Sequence, residues 1–229
     1  MKRLQAKTSR FITQAFEHLD YQKLGMIYCE EGGDAFWKDR REPCRMFGIA
    51  LAEVLLNRLK FGGKSLYVGA GVAEIPVLFM ETVDLERHVD ACNLRADEVA
   101  VVNRACKELP VRIVASDARS QRGSYDHLWI VSVLNDPEQY PNASALGYGR
   151  ANPVTFDPTA FLEERTQIMA LAKACLEKLT LPALVSTSVE EIPWITNWCD
   201  RHKIRYVVED EDYRTAIVED PVCLIRVGG

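Results

Sequence analysis

The chain has 229 residues and a formal net charge of −5, with 48% hydrophobic and 27% charged residues. These values are ordinary for a globular protein, and the negative charge excludes long-range attraction to nucleic acid or to an anionic membrane as the default mode of binding. A chain of this length buries roughly 70% of the surface that its unfolded form exposes, so it needs neither disulfides nor a metal to fold.

Targeting and metal-binding signals are missing from the sequence. The sequence contains no run of about 18 apolar residues that would predict a transmembrane helix, and no apolar signal core follows the basic N-terminus. The seven cysteines are widely spaced, without a Cys-x-x-Cys pair, which is typical of reduced thiols in a cytoplasmic protein. No group of His, Cys, Asp and Glu residues has the spacing of metal ligands, so we expect no metal.

The first 60 residues predict helices. One apolar helical face is formed by Ile12, Ala15, Phe16 and Leu19. A loop is expected over Glu30–Asp34, and a second helix after Pro43 that ends at Gly62 and Gly63. We therefore expect a helical appendage or lid over residues 1–60, followed by one domain over residues 61–229.

A glycine turn begins the second region. The apolar run Ser65–Val68 predicts a buried strand, Gly69-Ala70-Gly71 follows at once, and a helix is expected over residues 72–80. Glycines let the backbone turn tightly and let a ligand approach where a Cβ would collide. Strand, glycine turn and helix is the way in which a doubly wound sheet begins a nucleotide site.

Strands and helices then alternate to the end of the chain. Further strands are predicted over residues 88–92, 111–115, 126–133, 183–187, 204–208 and 222–227. Long helices are expected over residues 96–109, 159–179 and 193–202, and a long loop over residues 135–158. An acidic turn, Glu209–Asp212, separates the last two strands, and so short a link predicts an antiparallel pair. The expected fold is α/β: a doubly wound, mostly parallel seven-stranded sheet with an antiparallel last strand, plus the N-terminal helical appendage.

Polar residues follow several of the predicted strands. Ligands of open parallel sheets bind outside the carboxyl ends of the strands. Asn93 stands about 20 residues after the glycine turn, where a polar side chain hydrogen-bonds ribose hydroxyls in dinucleotide sites. Asp117 follows the third strand and can accept a hydrogen bond from an adenine amine. Residues 132–136 follow the fourth strand and are expected to face the reacting end of the ligand.

This order of motifs resembles the class I S-adenosylmethionine-dependent methyltransferases across roughly residues 60–229. The motifs that carry the resemblance are residues 66–71, 93–99, 116–118 and 125–134, together with the terminal strand pair. The resemblance implies that Gly69, Ala70 and Gly71 line the methionine part of S-adenosylmethionine and that Asn93 holds its ribose. The full set of implied cofactor-binding residues is Tyr67, Gly69, Ala70, Gly71, Asn93, Leu94, Asp117, Ala118 and Val133. Leu94 is expected to pack on the adenine ring, while Asp117 and Ala118 hold its amine edge.

Three positions depart from the family pattern. The family often has an acid where Tyr67 stands and usually one where Asn93 stands, so charge-assisted hydrogen bonds become neutral ones of about half the strength. Ala73 replaces the third glycine. Glu74 either faces the amino group or sulfonium of the cofactor or complements the N-terminus of the following helix. A bulky charged residue at that place also speaks against a nicotinamide dehydrogenase, in which a glycine permits close packing of helix on strand.

The expected function is methyl transfer from S-adenosylmethionine to a small molecule, without nucleic acid or a membrane as partner. Asp136, with Tyr140 or Tyr148, is the hypothesis for the group that orients or deprotonates the acceptor, on the ground of its position after the fourth strand. Transfer of the aminocarboxypropyl arm, as in nicotianamine-synthase-like enzymes, and a non-catalytic module that keeps the fold are the alternatives. The sequence leaves the oligomeric state open, a homodimer included.

Overall fold

A computed structural model describes residues 2–29, 33–215 and 220–229. The chain divides into two compact units. The first unit contains the residues up to Asp117 together with residues 214–215, and the second contains Ala118–Tyr213 and Asp220–Gly229. The predicted division at residue 60 into an appendage and a domain stays a prediction.

The strands of the described ranges form one seven-stranded sheet in the order β3-β2-β1-β4-β5-β7-β6. Strands β1, β2 and β3 pair in parallel, as do β4 and β5, whereas β7 is antiparallel to both β5 and β6. The predicted fold class is therefore confirmed. Within the described part of the chain, none of the helices combines the length and the hydropathy needed to cross a membrane.

The first unit holds the N-terminal helices and three parallel strands. Its helices and strands are α1 Ala6–His18, α2 Tyr21–Tyr28, α3 Gly33–Lys38, α4 Arg41–Leu56, β1 Lys64–Val68, α5 Ile75–Phe79, a π-helix Met80–Asp84, β2 His88–Asn93, α6 Ala96–Ala105 and β3 Ile113–Ala115. The apolar face predicted for α1 is buried. Of the predicted loop Glu30–Asp34, residues 30–32 lie outside the described residues, and α3 begins at Gly33.

Helix α4 ends at Leu56, earlier than the glycine pair at which the sequence places its end. Gly62 instead adopts a φ of 69°, and its N–H donates to the Leu85 carbonyl at 2.8 Å. This left-handed conformation is one that glycine adopts without strain. The glycine therefore turns the chain towards β1 and does not cap the helix.

The π-helix after α5 carries a buried ion pair that the sequence does not reveal. Arg87 Nε lies 2.8 Å from Glu81 Oε2, and both side chains are fully buried. Tyr67 of β1 donates its hydroxyl to Glu81 Oε1 at 2.6 Å. Because a buried charge is tolerated only with partners of this kind, the set anchors the π-helix against β1 and the start of β2.

The second unit contains the remaining four strands. Its helices and strands are a 3₁₀ turn Ala118–Ser120, β4 Tyr125–Ile130, α7 Pro141–Gly147, α8 Pro158–Leu176, β5 Leu179–Ser188, a 3₁₀ turn Val189–Glu191, α9 Ile192–Arg201, β6 Tyr206–Tyr213 and β7 Val222–Val227. The long loop predicted over residues 135–158 thus contains a helix, which Pro141 begins at a position where its fixed φ suits the first turn.

The acidic turn predicted at Glu209–Asp212 is wrong, because these residues belong to β6. The pairing of β6 with β7 shifts register between Val208 and Asp212. An irregularity of this kind adds residues to one strand without ending it. Exposed acidic residues on an edge strand also oppose pairing with another chain, which explains why a strand tolerates them.

Candidate functional site

A tight glycine corner joins β1 to α5 in the first unit. Gly69 has a φ of 74°, and the Ala70 N–H donates to the Cys92 carbonyl of β2 at 3.0 Å. The Gly71 N–H donates to Glu74 Oε2 at 2.8 Å. Glu74 itself stands at the N-cap of α5, so its carboxylate fixes the corner from the helix side. The backbone of the corner is therefore held by the strand on one side and by the helix on the other.

Asn93 ties the end of β2 to this corner. Its Nδ2 donates to the Ala70 carbonyl at 2.9 Å and to Glu98 Oε2 at 3.2 Å. Its Oδ1 accepts from the Arg95 N–H at 2.9 Å. An amide oxygen has two lone pairs, so Oδ1 retains the capacity to accept one more hydrogen bond. The structure thus brings two of the predicted site residues, Ala70 and Asn93, into direct contact.

The end of β3 lies beside the end of β2. The Ser116 N–H donates to the Asn93 carbonyl at 3.1 Å, and half-buried Asp117 follows. Leu94 is 57% exposed. The glycine corner, an amide, an exposed apolar side chain and a carboxylate therefore stand together where three adjacent parallel strands end.

Tyr67 lies apart from these groups. It is fully buried within β1, and its hydroxyl donates to Glu81 of the π-helix. Burial raises the pKa of Tyr67 well above its usual value. Its assignment to the cofactor site stays a prediction, and its hydroxyl contacts the Glu81 carboxylate that pairs with Arg87.

Buried Glu98 and half-buried Tyr28 form a pair beside the corner that sequence reasoning missed. Glu98 is 2% exposed, and Tyr28 of α2 donates its hydroxyl to Glu98 Oε1. A Cβ added at Gly71 would collide with that same oxygen. Burial raises the pKa of Glu98 and, more strongly, that of Tyr28. The space that glycine leaves at position 71 is therefore filled by a carboxylate from α6.

A second loop, in the other unit, follows β4 and is held by one carboxylate. The N–H groups of Ser132, Val133, Leu134 and Asn135 all donate to Glu191. Ser132 adopts a φ of 55°, a left-handed conformation that is rare outside glycine. Glu191 is fully buried, and burial raises its pKa while the donating N–H groups oppose that rise. Val133, a predicted cofactor residue, is half-buried within this loop.

The predicted catalytic residues directly follow this loop. The Tyr140 N–H donates to the Asp136 carbonyl at 2.8 Å, and Asp136 Oδ1 accepts from the Glu138 N–H at 2.9 Å. Asp136 is half-buried, whereas Tyr140 is 6% exposed. Tyr148 donates its hydroxyl to Asp220 Oδ2 at 3.0 Å instead. The backbone therefore brings Asp136 and Tyr140 together, and Tyr148 has a different partner.

Ala118 is the last of the predicted site residues. Ala118 is 4% exposed and begins the 3₁₀ turn of the second unit. Among the described residues, no group of three or more His, Cys, Asp and Glu side chains is arranged to hold a metal ion.

The strand order, with β7 antiparallel, is that of the class I S-adenosylmethionine-dependent methyltransferase fold. No family model matches the chain, and no curated protein matches it. Among solved structures, it is similar to the magnesium protoporphyrin IX methyltransferase of Synechocystis PCC 6803 with bound SAM, with a TM-score of 0.52, 12% identity and 99% of each chain covered. It is also similar to the N-methyltransferase NodS of Bradyrhizobium japonicum WM9, with a TM-score of 0.50, 14% identity and coverage of 82% of this chain and 97% of that one. At these identities the similarity shows the fold, as the motif order predicts.

Proposed function

We propose that the chain is an S-adenosylmethionine-dependent methyltransferase that acts on a small molecule. The observation that carries the proposal is the hydrogen bond from Asn93 Nδ2 to the Ala70 carbonyl, which joins the glycine corner to the end of β2. In an open parallel sheet the ligand binds at this edge. The similar cyanobacterial structure, which covers 99% of this chain, contains S-adenosylmethionine.

The groups at the strand ends fit an adenosyl group. Asn93 Oδ1 can accept from a ribose hydroxyl, and the exposed side chain of Leu94 can cover one face of adenine. Half-buried Asp117 can accept from the exocyclic amine. Gly69 and Ala70 present backbone without large side chains to the methionine part, and Gly71, whose Cβ position faces Glu98, keeps its proposed role through the resemblance. Tyr67, Ala118 and Val133 are proposed as cofactor-binding residues on the ground of the family resemblance alone.

Asp136 and Tyr140 are the proposed catalytic residues. When bound, S-adenosylmethionine supplies an electrophilic methyl group, so the protein needs chiefly to position the acceptor and to remove its proton. The carboxylate of Asp136 is half-buried and directly follows the loop after β4, where it can accept that proton. The Tyr140 hydroxyl is the neighbouring group that can orient the acceptor.

Several features support a small acceptor. The net charge of −5 disfavours nucleic acid, and one of the similar proteins is a methyltransferase named for a porphyrin.

Mass spectrometry of the spent cofactor tests the reaction. The protein is incubated with S-adenosylmethionine and pooled small nucleophiles, and we expect S-adenosylhomocysteine as the product. Methylthioadenosine would instead indicate transfer of the aminocarboxypropyl arm, and an unchanged cofactor that nevertheless binds would indicate a non-catalytic module. Asp136→Asn and Tyr140→Phe are expected to reduce turnover about 100-fold or more without a change in cofactor affinity. Unchanged turnover in both variants would remove the catalytic assignment.

A further inference from the structure

The side-chain amide of Asn93 is held by the protein in one orientation. Both of its N–H groups are occupied, because Nδ2 donates to the Ala70 carbonyl at 2.9 Å and to Glu98 Oε2 at 3.2 Å. Its Oδ1 accepts from the Arg95 N–H at 2.9 Å and keeps one lone pair. The amide cannot turn over, since that would place its oxygen against a carbonyl and its nitrogen against an N–H group.

Glu98 is held in turn by Tyr28 of the N-terminal helix α2. The Tyr28 hydroxyl donates to Glu98 Oε1, whereas the Asn93 amide donates to Oε2. Glu98 is 2% exposed, and the Val72 N–H also donates to its carboxylate. A carboxylate whose two oxygens have different donors cannot rotate without breaking one of these hydrogen bonds. Tyr28, Glu98 and Asn93 therefore form one connected network that ends at Asn93 Oδ1.

The Tyr28 hydroxyl is fixed by the surroundings of its ring. The ring stacks on Phe36 of α3 with the centroids 5.6 Å apart, and it meets Trp37 edge to face at 5.7 Å. The Arg95 guanidinium lies 5.7 Å from the ring centroid. Burial, and after it the nearby Glu98 carboxylate, raises the pKa of Tyr28, so the phenol keeps the proton that it donates. The network therefore begins at a side chain that is itself ordered by packing.

We infer that Tyr28 and Glu98 are positioning residues, which hold the Asn93 amide so that its Oδ1 accepts a hydrogen bond from a ribose hydroxyl of the cofactor. This inference rests on the proposed function and extends it to two residues that act through Asn93. An amide that was free to move would have to be ordered when the cofactor binds, and that ordering would lower the affinity. Helix α2 thereby contributes to ribose recognition through Glu98 and Asn93.

Two ligands that differ only at the ribose test the inference by calorimetry on the full-length protein. S-adenosylhomocysteine is compared with its 2′,3′-dideoxy analogue, which lacks the ribose hydroxyls. We expect Tyr28→Phe, which removes only the hydroxyl that fixes Glu98, to weaken S-adenosylhomocysteine about fivefold and to leave the affinity for the analogue unchanged. Tyr21→Phe is the matched control, because it removes another hydroxyl of α2, which donates to the Phe16 carbonyl. It should leave both affinities unchanged.

Two further variants separate positioning from a general loss of structure. Glu98→Ala should weaken S-adenosylhomocysteine about tenfold more than the analogue, and this comparison decides the outcome if Tyr28→Phe fails to fold. In an Asn93→Ala background, Tyr28→Phe should have no further effect on S-adenosylhomocysteine affinity, because the amide through which it acts is absent. A double-mutant cycle measures this coupling.

Three results would overturn the inference even if S-adenosylhomocysteine binds to the wild-type protein. They are equal weakening of the two ligands in Tyr28→Phe, an unchanged S-adenosylhomocysteine affinity in that variant, and a full effect of Tyr28→Phe in the Asn93→Ala background. Failure of the wild-type protein to bind S-adenosylhomocysteine is a separate result, and it would overturn the proposed function.

Discussion

The glycine corner after β1 and the loop after β4 are both held by a buried glutamate that lies later in the chain, but they differ in how completely their polar groups are satisfied. At the corner, Glu98 accepts from Tyr28 and Asn93, so all three side chains have partners. In the loop, Glu191 accepts from four consecutive N–H groups, yet Asn135 Nδ2 has no partner among the described residues.

The two glutamates therefore have different roles, since Glu98 holds side chains at the corner and Glu191 holds the backbone of the loop. Under the proposed function, Asn93 Oδ1 and the strand ends are the groups that the corner leaves for the cofactor. The predictions below test each half of this comparison, beginning with the largest expected effect.

Glu191→Ala should give the largest loss of stability. The substitution removes the acceptor of the Val133, Leu134 and Asn135 N–H groups and of the Thr187 hydroxyl at a fully buried position, while the Ser132 N–H keeps Ser188 Oγ as an acceptor. We expect the free energy of unfolding to fall by about 3–5 kcal/mol, measured by urea denaturation. The neighbouring Glu190→Ala is the matched control and should change it by less than about 0.5 kcal/mol. Equal effects of the two substitutions would contradict the role given to Glu191.

Gly71→Ala should give an intermediate effect that depends on Glu98. The new Cβ collides with Glu98 Oε1, which Tyr28 and Asn93 prevent from moving away freely. We expect a loss of about 1–3 kcal/mol in the wild-type background, as for other overpacked sites. In a Glu98→Ala background the same substitution should be nearly neutral, and a double-mutant cycle measures the difference. The same loss in both backgrounds would show that the glycine serves another purpose.

Glu98→Gln should have the smallest effect of these substitutions, namely a change in the pH dependence of stability. Burial raises the pKa of the Glu98 carboxyl, so the folded state keeps the proton at pH values where the unfolded chain has lost it. The contribution of this group is therefore fully present below the unfolded pKa and is lost as pH rises through the folded pKa. We expect the difference in unfolding free energy, wild type minus Glu98→Gln, to decrease with pH above the ordinary glutamate range. A difference that increases with pH would contradict the direction of the shift.

Local patterns were sufficient to predict the fold. Alternating apolar runs and glycine turns located all seven strands, and the bounds of β7, Val222–Val227, match those predicted. Failures occurred where tertiary contacts override local chemistry. The acidic residues 209–212 are typical of a turn, but an irregular pairing with β7 keeps them in a strand.

The candidate site was only partly visible in the sequence. The glycine turn, Asn93 and Asp117 follow strands at the spacing of a known motif order, so they could be selected in advance. Tyr28 and Glu98 are 70 residues apart, and no local pattern connects them. Ser188 and Glu191 do have the spacing of a capping box, which is present here. That pattern predicts a helix start, however, and gives no sign that the same carboxylate holds the loop after β4.

Calorimetric titration with S-adenosylhomocysteine tests the central claim most directly, namely that the ends of β1, β2 and β3 bind an adenosyl sulfur cofactor. The wild-type protein and the variants Asp117→Asn and Asp97→Asn are titrated, with NAD as the competing ligand class. We predict binding to the wild type and to Asp97→Asn, whose side chain is exposed on α6, about tenfold weaker binding to Asp117→Asn, and no heat with NAD. Binding of NAD without S-adenosylhomocysteine, or equal affinity in Asp117→Asn and the wild type, would contradict this account.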